Sequence, residues 1–272
     1  MNLNSNLQFM KQVLCFVLLL AAIPSFAQDS LCDKKMETVI LEYPILWQQK
    51  AAEYRALCYQ AFNIASLRLH AIPAKKIRKE KLAIITDLDE TILDNSYSDA
   101  KLIKEGKTYN STTWKNWTSQ SAATGVPGAV DFLNEASKKG ITIFYISNRD
   151  TTEIQSTLLN LKKLQLPNAD TAHMLFLTNT SSKEARRKIV MSQYNVVMLL
   201  GDNLNDFMDI FEKKTIDGRF TATDNERVEW GNKFIVLPNS TYGEWENALY
   251  NYQRNLTPQQ KETMRKNLLT GY

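Results

Sequence analysis

Histidine is nearly missing from this chain of 272 residues: His70 and His173 are the only two. Neither stands beside an arginine and a glycine of catalytic pattern, so chemistry through a histidine nucleophile is excluded. A histidine-rich binuclear metal centre is excluded for the same want of ligands. Glycine is sparse too, and no two of the nine have the spacing of a P-loop or a dinucleotide fingerprint. Neither sign of charge dominates: 33 basic residues face 29 acidic ones, a net charge of +4, too small an excess to argue for a nucleic acid polymer as partner. No internal repeat or low-complexity stretch occurs, and no run of about 18 apolar residues that would span a bilayer.

What is present points to one folded unit. A hydrophobic content of 44% and a charged content of 23% suit a single substantial core carrying a small inserted cap. Lys11, the apolar run Val13 to Ile23 and the small-x-small pattern Ser25-Phe26-Ala27 read as an export signal over residues 1–27, leaving a mature chain of 28–272. A retained N-terminal anchor is the alternative. Of the three cysteines, Cys15 leaves with the signal. Export permits a disulfide between Cys32 and Cys58. Cys58 also fits a core thiol, because Trp47, Ala51, Tyr54, Cys58, Ala61 and Ala65 recur at helical spacing.

Residues from Pro44 to Leu69 read as one long amphipathic helix. Five apolar runs of strand length follow: Leu82 to Thr86, Ile141 to Ile146, Met174 to Leu177, Val196 to Leu200 and Phe234 to Leu237. Helical patterns lie between several of them, with Ile154, Leu158 and Leu161 on one face and helix formers from Lys183 to Tyr194. Continuously apolar strands alternating with helices imply an α/β fold, a parallel sheet covered on both faces. The polar, aromatic stretch 95–126, with Tyr97, Tyr109, Trp114 and Trp117, breaks the rhythm and reads as an inserted cap. A terminal helix, capped by Thr257 and started by Pro258, reads as packing only.

Polar residues gather where three of these strands end: Asp87-Leu88-Asp89-Glu90-Thr91, Ser147-Asn148-Arg149-Asp150, and Gly201-Asp202-Asn203-Leu204-Asn205-Asp206. In an open parallel sheet the ligand crevice lies outside the carboxyl ends of the strands, so the three segments should meet there. Asp87, Asp89, Asp202 and Asp206 would then repel one another. A hard divalent cation resolves the conflict, and Mg²⁺ favours oxygen ligands completed by water and phosphate. Any one aspartate after a strand is as readily a helix cap, a reading that stays open for Asp89 and Asp94 taken singly.

These residues carry a resemblance. The motif Asp87-Leu88-Asp89-Glu90-Thr91 resembles the first motif of the haloacid dehalogenase (HAD) superfamily. Ile84 to Asn95 together with Val197 to Phe207 resembles the paired signatures of the class C acid phosphatases, exported bacterial enzymes that include outer-membrane lipoprotein 5′-nucleotidases. Ala51 to Phe62, Phe144 to Arg149 and Leu237 to Glu246 resemble the same family, so the likeness spans about residues 45 to 250. Tyr97 follows Ser96 directly where the family usually has an extra residue. Neither Leu14-Cys15 nor Leu31-Cys32 places a small residue before a lipid-accepting cysteine, so a periplasmic or secreted protein is expected rather than a lipoprotein.

The resemblance implies an HAD-like Rossmannoid sheet with flanking helices, an N-terminal helical segment and a small cap. It implies an Mg²⁺-dependent phosphomonoesterase acting on small phosphomonoesters, nucleoside monophosphates above all, and is compatible with a homodimer. By the same likeness Asp87 is the nucleophile and Asp89 the general acid and base, Ser147 donates to the phosphate, and Lys183 is its counter-charge. Asp87, the Asp89 main-chain carbonyl and Asp202 would hold the metal, with Asp206 supporting from the rim. Lys183 is otherwise a solvated lysine of a basic helix. Trp114 or Trp117, three apart, either stacks on a substrate ring or fills a helix face, and Tyr242 is a similar candidate. Arg149 either reaches the phosphate or pairs with Asp150. A phosphotransferase on the same fold and a non-enzymatic binding or storage protein remain as alternatives.

Overall fold

A strand made only of Leu82, Ala83, Ile84, Ile85 and Thr86 has no polar face to give to water, and all five residues are buried. The computed structural model, which describes residues 39–73 and 80–272, places this strand, β1 (Leu82–Thr86), at the centre of a five-stranded sheet. Its neighbours are β4 (Thr142–Ile146) and β6 (Asn195–Gly201), and β5 (Met174–Leu175) and β7 (Phe234–Val236) form the edges. Every pairing in this sheet is parallel, in the order β5-β4-β1-β6-β7. The chain moves outward from β1 in one direction through β4 and β5, then returns to β6 on the other side. That reversal opens a crevice at the carboxyl ends of β1, β4 and β6.

Alternate residues of the strands feed two separate cores. Ile84, Ile143, Tyr145, Met198, Leu200 and Ile235 pack with α2 (Ala52–Ala71), α5 (Ala129–Lys138) and α6 (Ile154–Lys163), through Phe62, Phe132 and Leu161 among others. Ala83, Ile85, Phe144, Ile146, Leu199 and Phe234 face the other way. They pack on Val190 of α7 (Glu184–Met191), on Phe207 and Phe211, and on Ala222 of α8 (Ile216–Asn225). Burial on both faces accounts for strands that are apolar throughout. No helix among the described residues is long and apolar enough to cross a membrane.

The expected single helix over Pro44 to Leu69 is two helices. Residues 39–50 form α1, Ala51 is extended at φ −78° and ψ 128°, and α2 follows. The reason lies in which faces are buried. Tyr54, Cys58, Phe62, Ala65 and Leu69 make one stripe of α2, whereas α1 buries Ile45 and Gln48. At about 100° per residue, Ile45 and Tyr54 would lie half a turn apart on one straight helix. The break lets α1 turn its own face inward, where Gln48 donates to Asp94 Oδ1 at 2.9 Å and Gln49 to Ser96 at 3.1 Å. Cys58 is fully buried as a free thiol, with burial pushing it up to about 11. Its proposed partner Cys32, like the export signal, lies outside the described residues.

The stretch expected to be a cap is an insertion with a closed neck. β2 (Leu93–Asp94) enters it and β3 (Thr124–Gly125) leaves it, paired antiparallel through Leu93 with Gly125 and Asp94 with Thr124. Between them lie α3 (Ser96–Lys104) and α4 (Ser111–Thr118). Asn110 starts α4 with a capping box, accepting from Thr112 and Thr113 while the Thr113 hydroxyl accepts from the Asn110 amide. After β7 come α9 (Glu244–Leu249) and α10 (Pro258–Leu268), the latter capped by Thr257 as its sequence implies. None of the α10 residues is buried. Arg265 donates to the Tyr250 hydroxyl at 2.7 Å, and Pro258, Lys261 and Arg265 line the crevice, so the helix walls the site instead of serving packing alone.

Candidate active site

Asp87 continues the β1 ladder by one residue, its amide donating to Leu200 O at 3.0 Å. The chain then folds back sharply, with Ile92 and Leu93 amides both donating to Leu88 O. The turn forces Glu90 into the left-handed region at φ 57°, strained for a residue with a Cβ. Its buried carboxylate holds the turn shut by accepting from the Asn95 amide at 2.9 Å and from the Tyr242 hydroxyl. Burial first, then the neighbouring Asp89, pushes the Glu90 carboxyl well above its ordinary range.

Asp87, Asp202 and Asp206 meet across β1 and β6, one carboxylate oxygen from each lying within 4.8 Å of the others. The Lys183 ammonium, at the start of α7, donates to Asp87 Oδ1 at 2.5 Å and to Asp206 Oδ1 at 2.6 Å. It is therefore no solvated lysine; only 7% of its side chain is exposed. Thr91 at 3.0 Å and Asn239 at 2.8 Å each donate to one oxygen of Asp202. Asp206 sits inside the cluster and not at its rim, which Gly201 makes possible. A Cβ there would lie 2.4 Å from the Cβ of Asp206 and 2.5 Å from its Oδ2.

With all three carboxylates ionised, one ammonium leaves two negative charges uncompensated in a largely buried place. Burial drives Asp87 well upward, Lys183 opposes it, and Asp206, Asp202 and Asp89 add to it. Burial likewise raises Asp202 to about 7, with Asp206 adding to the shift. Burial works against the Lys183 ammonium, but Asp206 and Asp87 outweigh it and its net shift is upward. The residues fit a metal ion: oxygen ligands only, converging, with a charge deficit of two. Two arginines of α7 brace the surroundings. Arg186 donates to Ser147 O and Asn148 Oδ1 at 2.6 Å each, and Arg187 to Asn205 O at 2.8 Å and Asp206 O at 3.0 Å.

The Asp89 side chain stands apart from the cluster. Arg149 forks it through Nε at 3.1 Å to both oxygens and through Nη2 at 2.7 Å to Oδ1. Asp150, the other partner considered for Arg149, pairs with Lys115 at 3.5 Å and caps the turn at Thr152. Asn95 Nδ2 donates to Asp89 Oδ1 at 2.9 Å, and Trp117 donates to Asn95 Oδ1 at 2.8 Å. Trp117 is thus a partly buried brace packed on the core. Ser147 is buried, its hydroxyl 3.5 Å from Asp89 Oδ2 and accepting from the Arg149 amide at 3.0 Å. His70 pairs with Glu135 and His173 with Asp170, and neither lines the crevice.

Above these groups opens a cavity of about 790 Å³ that takes in Asp87, Asp89, Lys183, Asp202 and Asp206. Its upper wall is aromatic: Tyr109 and Trp114 of the insertion, with ring centroids 6.3 Å apart, and Tyr242 from the loop after β7. Nothing in the sequence alone assigns a role to Glu90, Thr91, Asn95, Asn239 or Gly201. Each stands inside a motif stretch whose pattern was recognised, but nothing in the stretch tells a hydrogen-bond brace from a neighbour.

The family model for HAD superfamily, subfamily IIIB (acid phosphatase), matches residues 7–245. Among solved structures the class C acid phosphatase from Bacillus anthracis is 38% identical with a TM-score of 0.82, covering 87% of this chain and 99% of that one. The same enzyme with tungstate bound is 37% identical with a TM-score of 0.81, covering 88% and 98%. With the parallel sheet, the aspartates at its carboxyl edge and this match along most of its length, the chain belongs to the subfamily IIIB acid phosphatases of the HAD superfamily, hydrolases of phosphomonoesters.

Proposed function

We propose that this phosphatase is an exported, Mg²⁺-dependent enzyme that hydrolyses nucleoside monophosphates through a phosphorylated Asp87. The observation that carries the reading is one cavity with the Asp87–Lys183 pair at its floor and Tyr109, Trp114 and Tyr242 in its wall. Its volume of about 790 Å³ suits a ligand larger than a bare phosphate, since small-molecule sites run to about 300–1,000 Å³. Asp87, Asp202, Asp206 and the Asp89 main-chain carbonyl would hold Mg²⁺, which when bound neutralises charge on phosphoryl oxygens.

The residues divide the reaction between them. An Asp87 oxygen attacks phosphorus, forming the acyl phosphate as the ester P–O bond breaks. Asp89 delivers its proton to the departing oxygen, then takes one from the water that attacks the acyl phosphate, so the carboxyl returns to its starting state. Lys183, clamped between Asp87 and Asp206, keeps the nucleophile oriented and counters the incoming phosphate charge. Export is supported by the Lys11, Val13 to Ile23 and Ser25-Phe26-Ala27 pattern. A base would lie against the aromatic wall, where stacking contributes about 1–3 kcal/mol with little choice among bases.

The test is kcat/KM for AMP, UMP and glycerol phosphate, with Mg²⁺ and with excess chelator, in wild type and Tyr109→Ala. Tyr109 is 65% exposed, so its removal leaves the core intact. The expected result is a preference of roughly tenfold or more for both nucleotides, lost selectively in the variant, and no turnover in chelator. Equal loss on all three substrates refutes the stacking, and activity in chelator refutes the metal.

A further inference from the structure

The two oxygens of Asp89 are held very differently. Oδ1 accepts from Arg149 Nη2 at 2.7 Å, Arg149 Nε at 3.1 Å and Asn95 Nδ2 at 2.9 Å. Oδ2 shares only the Nε contact at 3.1 Å and faces the Ser147 hydroxyl at 3.5 Å, the far limit of a hydrogen bond. A carboxylate oxygen has about two lone-pair sites, so Oδ1 has no capacity left and Oδ2 does. The donors on Oδ1 are themselves fixed. Trp117 donates to Asn95 Oδ1, which sets the amide so that its Nδ2 faces Asp89. Arg149 Nη1 donates to Thr157 Oγ1 at 3.0 Å, and its side chain is only 2% exposed. The guanidinium carbon also lies 5.5 Å from the Trp114 ring centroid, within cation–π reach.

We infer that Arg149 is a positioning residue: it locks Oδ1 of Asp89, leaves Oδ2 as the oxygen that carries the proton, and is itself held against the insertion by the face of Trp114. The inference rests on the reading of Asp89 as the acid that protonates the leaving oxygen. A fork of this kind fixes the carboxylate plane, which a single point charge does not. Substrate cover and acid–base alignment then share one part, because the ring over Arg149 belongs to α4 of the insertion.

The experiment measures kcat and KM on p-nitrophenyl, phenyl and alkyl phosphates, with competitive inhibition by inorganic phosphate, at saturating Mg²⁺. For Arg149→Met the expected result is a kcat loss of about 100-fold or more on phenyl and alkyl phosphates, where acid assistance matters, and under about tenfold on p-nitrophenyl phosphate. The inhibition constant of phosphate should stay within about twofold of wild type. Arg149→Lys, which keeps charge but not the fork, should recover only part of the loss. Because Arg149 is buried, Trp114→Leu serves as the second variant: read as kcat at saturating substrate, where lost contact of the ring with substrate falls in KM, it should show the same dependence on the leaving group in weaker form. A uniform loss across leaving groups, a phosphate inhibition constant that rises with KM, or full recovery by lysine overturns the inference. So does a Trp114→Leu enzyme whose leaving-group dependence is that of wild type. Asp89→Asn is run beside them: absence of leaving-group dependence there refutes the acid assignment itself, whereas its presence there and absence in Arg149→Met refutes only the positioning role.

Discussion

Gly201→Ala is the smallest change that should disable this site. The added methyl would stand 2.4 Å from the Asp206 Cβ, where ordinary contact begins at 3.4 Å, so about 1 Å of movement is required. The atom it meets cannot swing away, because the Asp206 Cβ is fixed to a backbone turn held by Arg187 and by the Asn203 amide, which donates to Asp206 Oδ2 at 3.0 Å. Asp206 must therefore shift as a unit and loosen its 2.6 Å contact with Lys183, the residue that also orients Asp87. Displacements of about 1 Å in a reacting constellation cost about 10²-fold in rate. The assay is kcat on an aryl phosphate together with the Mg²⁺ concentration for half activation, with circular dichroism and a melting curve to confirm the fold. The expected result is a loss of about 100-fold with a raised Mg²⁺ requirement. A double-mutant cycle isolates the cause: in an Asp206→Gly background, which has no Cβ for the methyl to meet, the same change should cost only a fewfold more. A single variant that works normally, or an equal loss in both backgrounds, would refute the reasoning.

Two other outcomes follow from the same cluster. Asp87→Asn should leave the fold intact by circular dichroism and abolish turnover, since an amide cannot form the acyl phosphate; substantial residual rate would remove Asp87 as nucleophile. The metal-free protein should lose stability as pH rises from about 4 to 7. The folded Asp202 carboxyl is raised to about 7, so the folded state holds a proton that the unfolded chain releases near the ordinary value. Melting temperature in chelator should fall by roughly 5 °C or more between pH 5 and pH 8, and Mg²⁺ should restore most of it. A flat profile in chelator would mean the carboxylates tolerate one another without help.

The strands were legible because burial on both faces leaves an unbroken apolar run, and Leu82–Thr86 has no other reading at that length. The edge strand was less so: it ends at Leu175 and not Leu177, whose amide turns aside to Arg149 O at 3.1 Å. Asp87, Asp202 and Asp206 could be assembled from the sequence because strand ends converge by topology, whereas Lys183, at the start of α7, was reached only through the family resemblance. What escaped was direction. Nothing in Ser147-Asn148-Arg149-Asp150 says that the arginine crosses to Asp89 instead of its neighbour, since that depends on where β4 sits beside β1. The break at Ala51 was hidden for a similar reason: an alanine between two helical patterns reads as continuation, and only the half-turn between their buried faces forbids it.

The neck of the insertion has a consequence for how such enzymes can be altered. Its entry and exit lie side by side in the Leu93–Gly125 pair, so a longer or shorter excursion could be grafted there with no change in sheet register. Such a graft would seldom be silent toward chemistry. Trp117 reaches Asn95, and Trp114 covers Arg149, so an exchanged segment would carry away two supports of Asp89 along with the substrate wall. On the proposed roles of Asp89 and of the aromatic wall, selectivity for the alcohol portion and tolerance of poor leaving groups would be tied to a single exchangeable piece of chain. Libraries built on residues 95–123 should show the two properties drifting together.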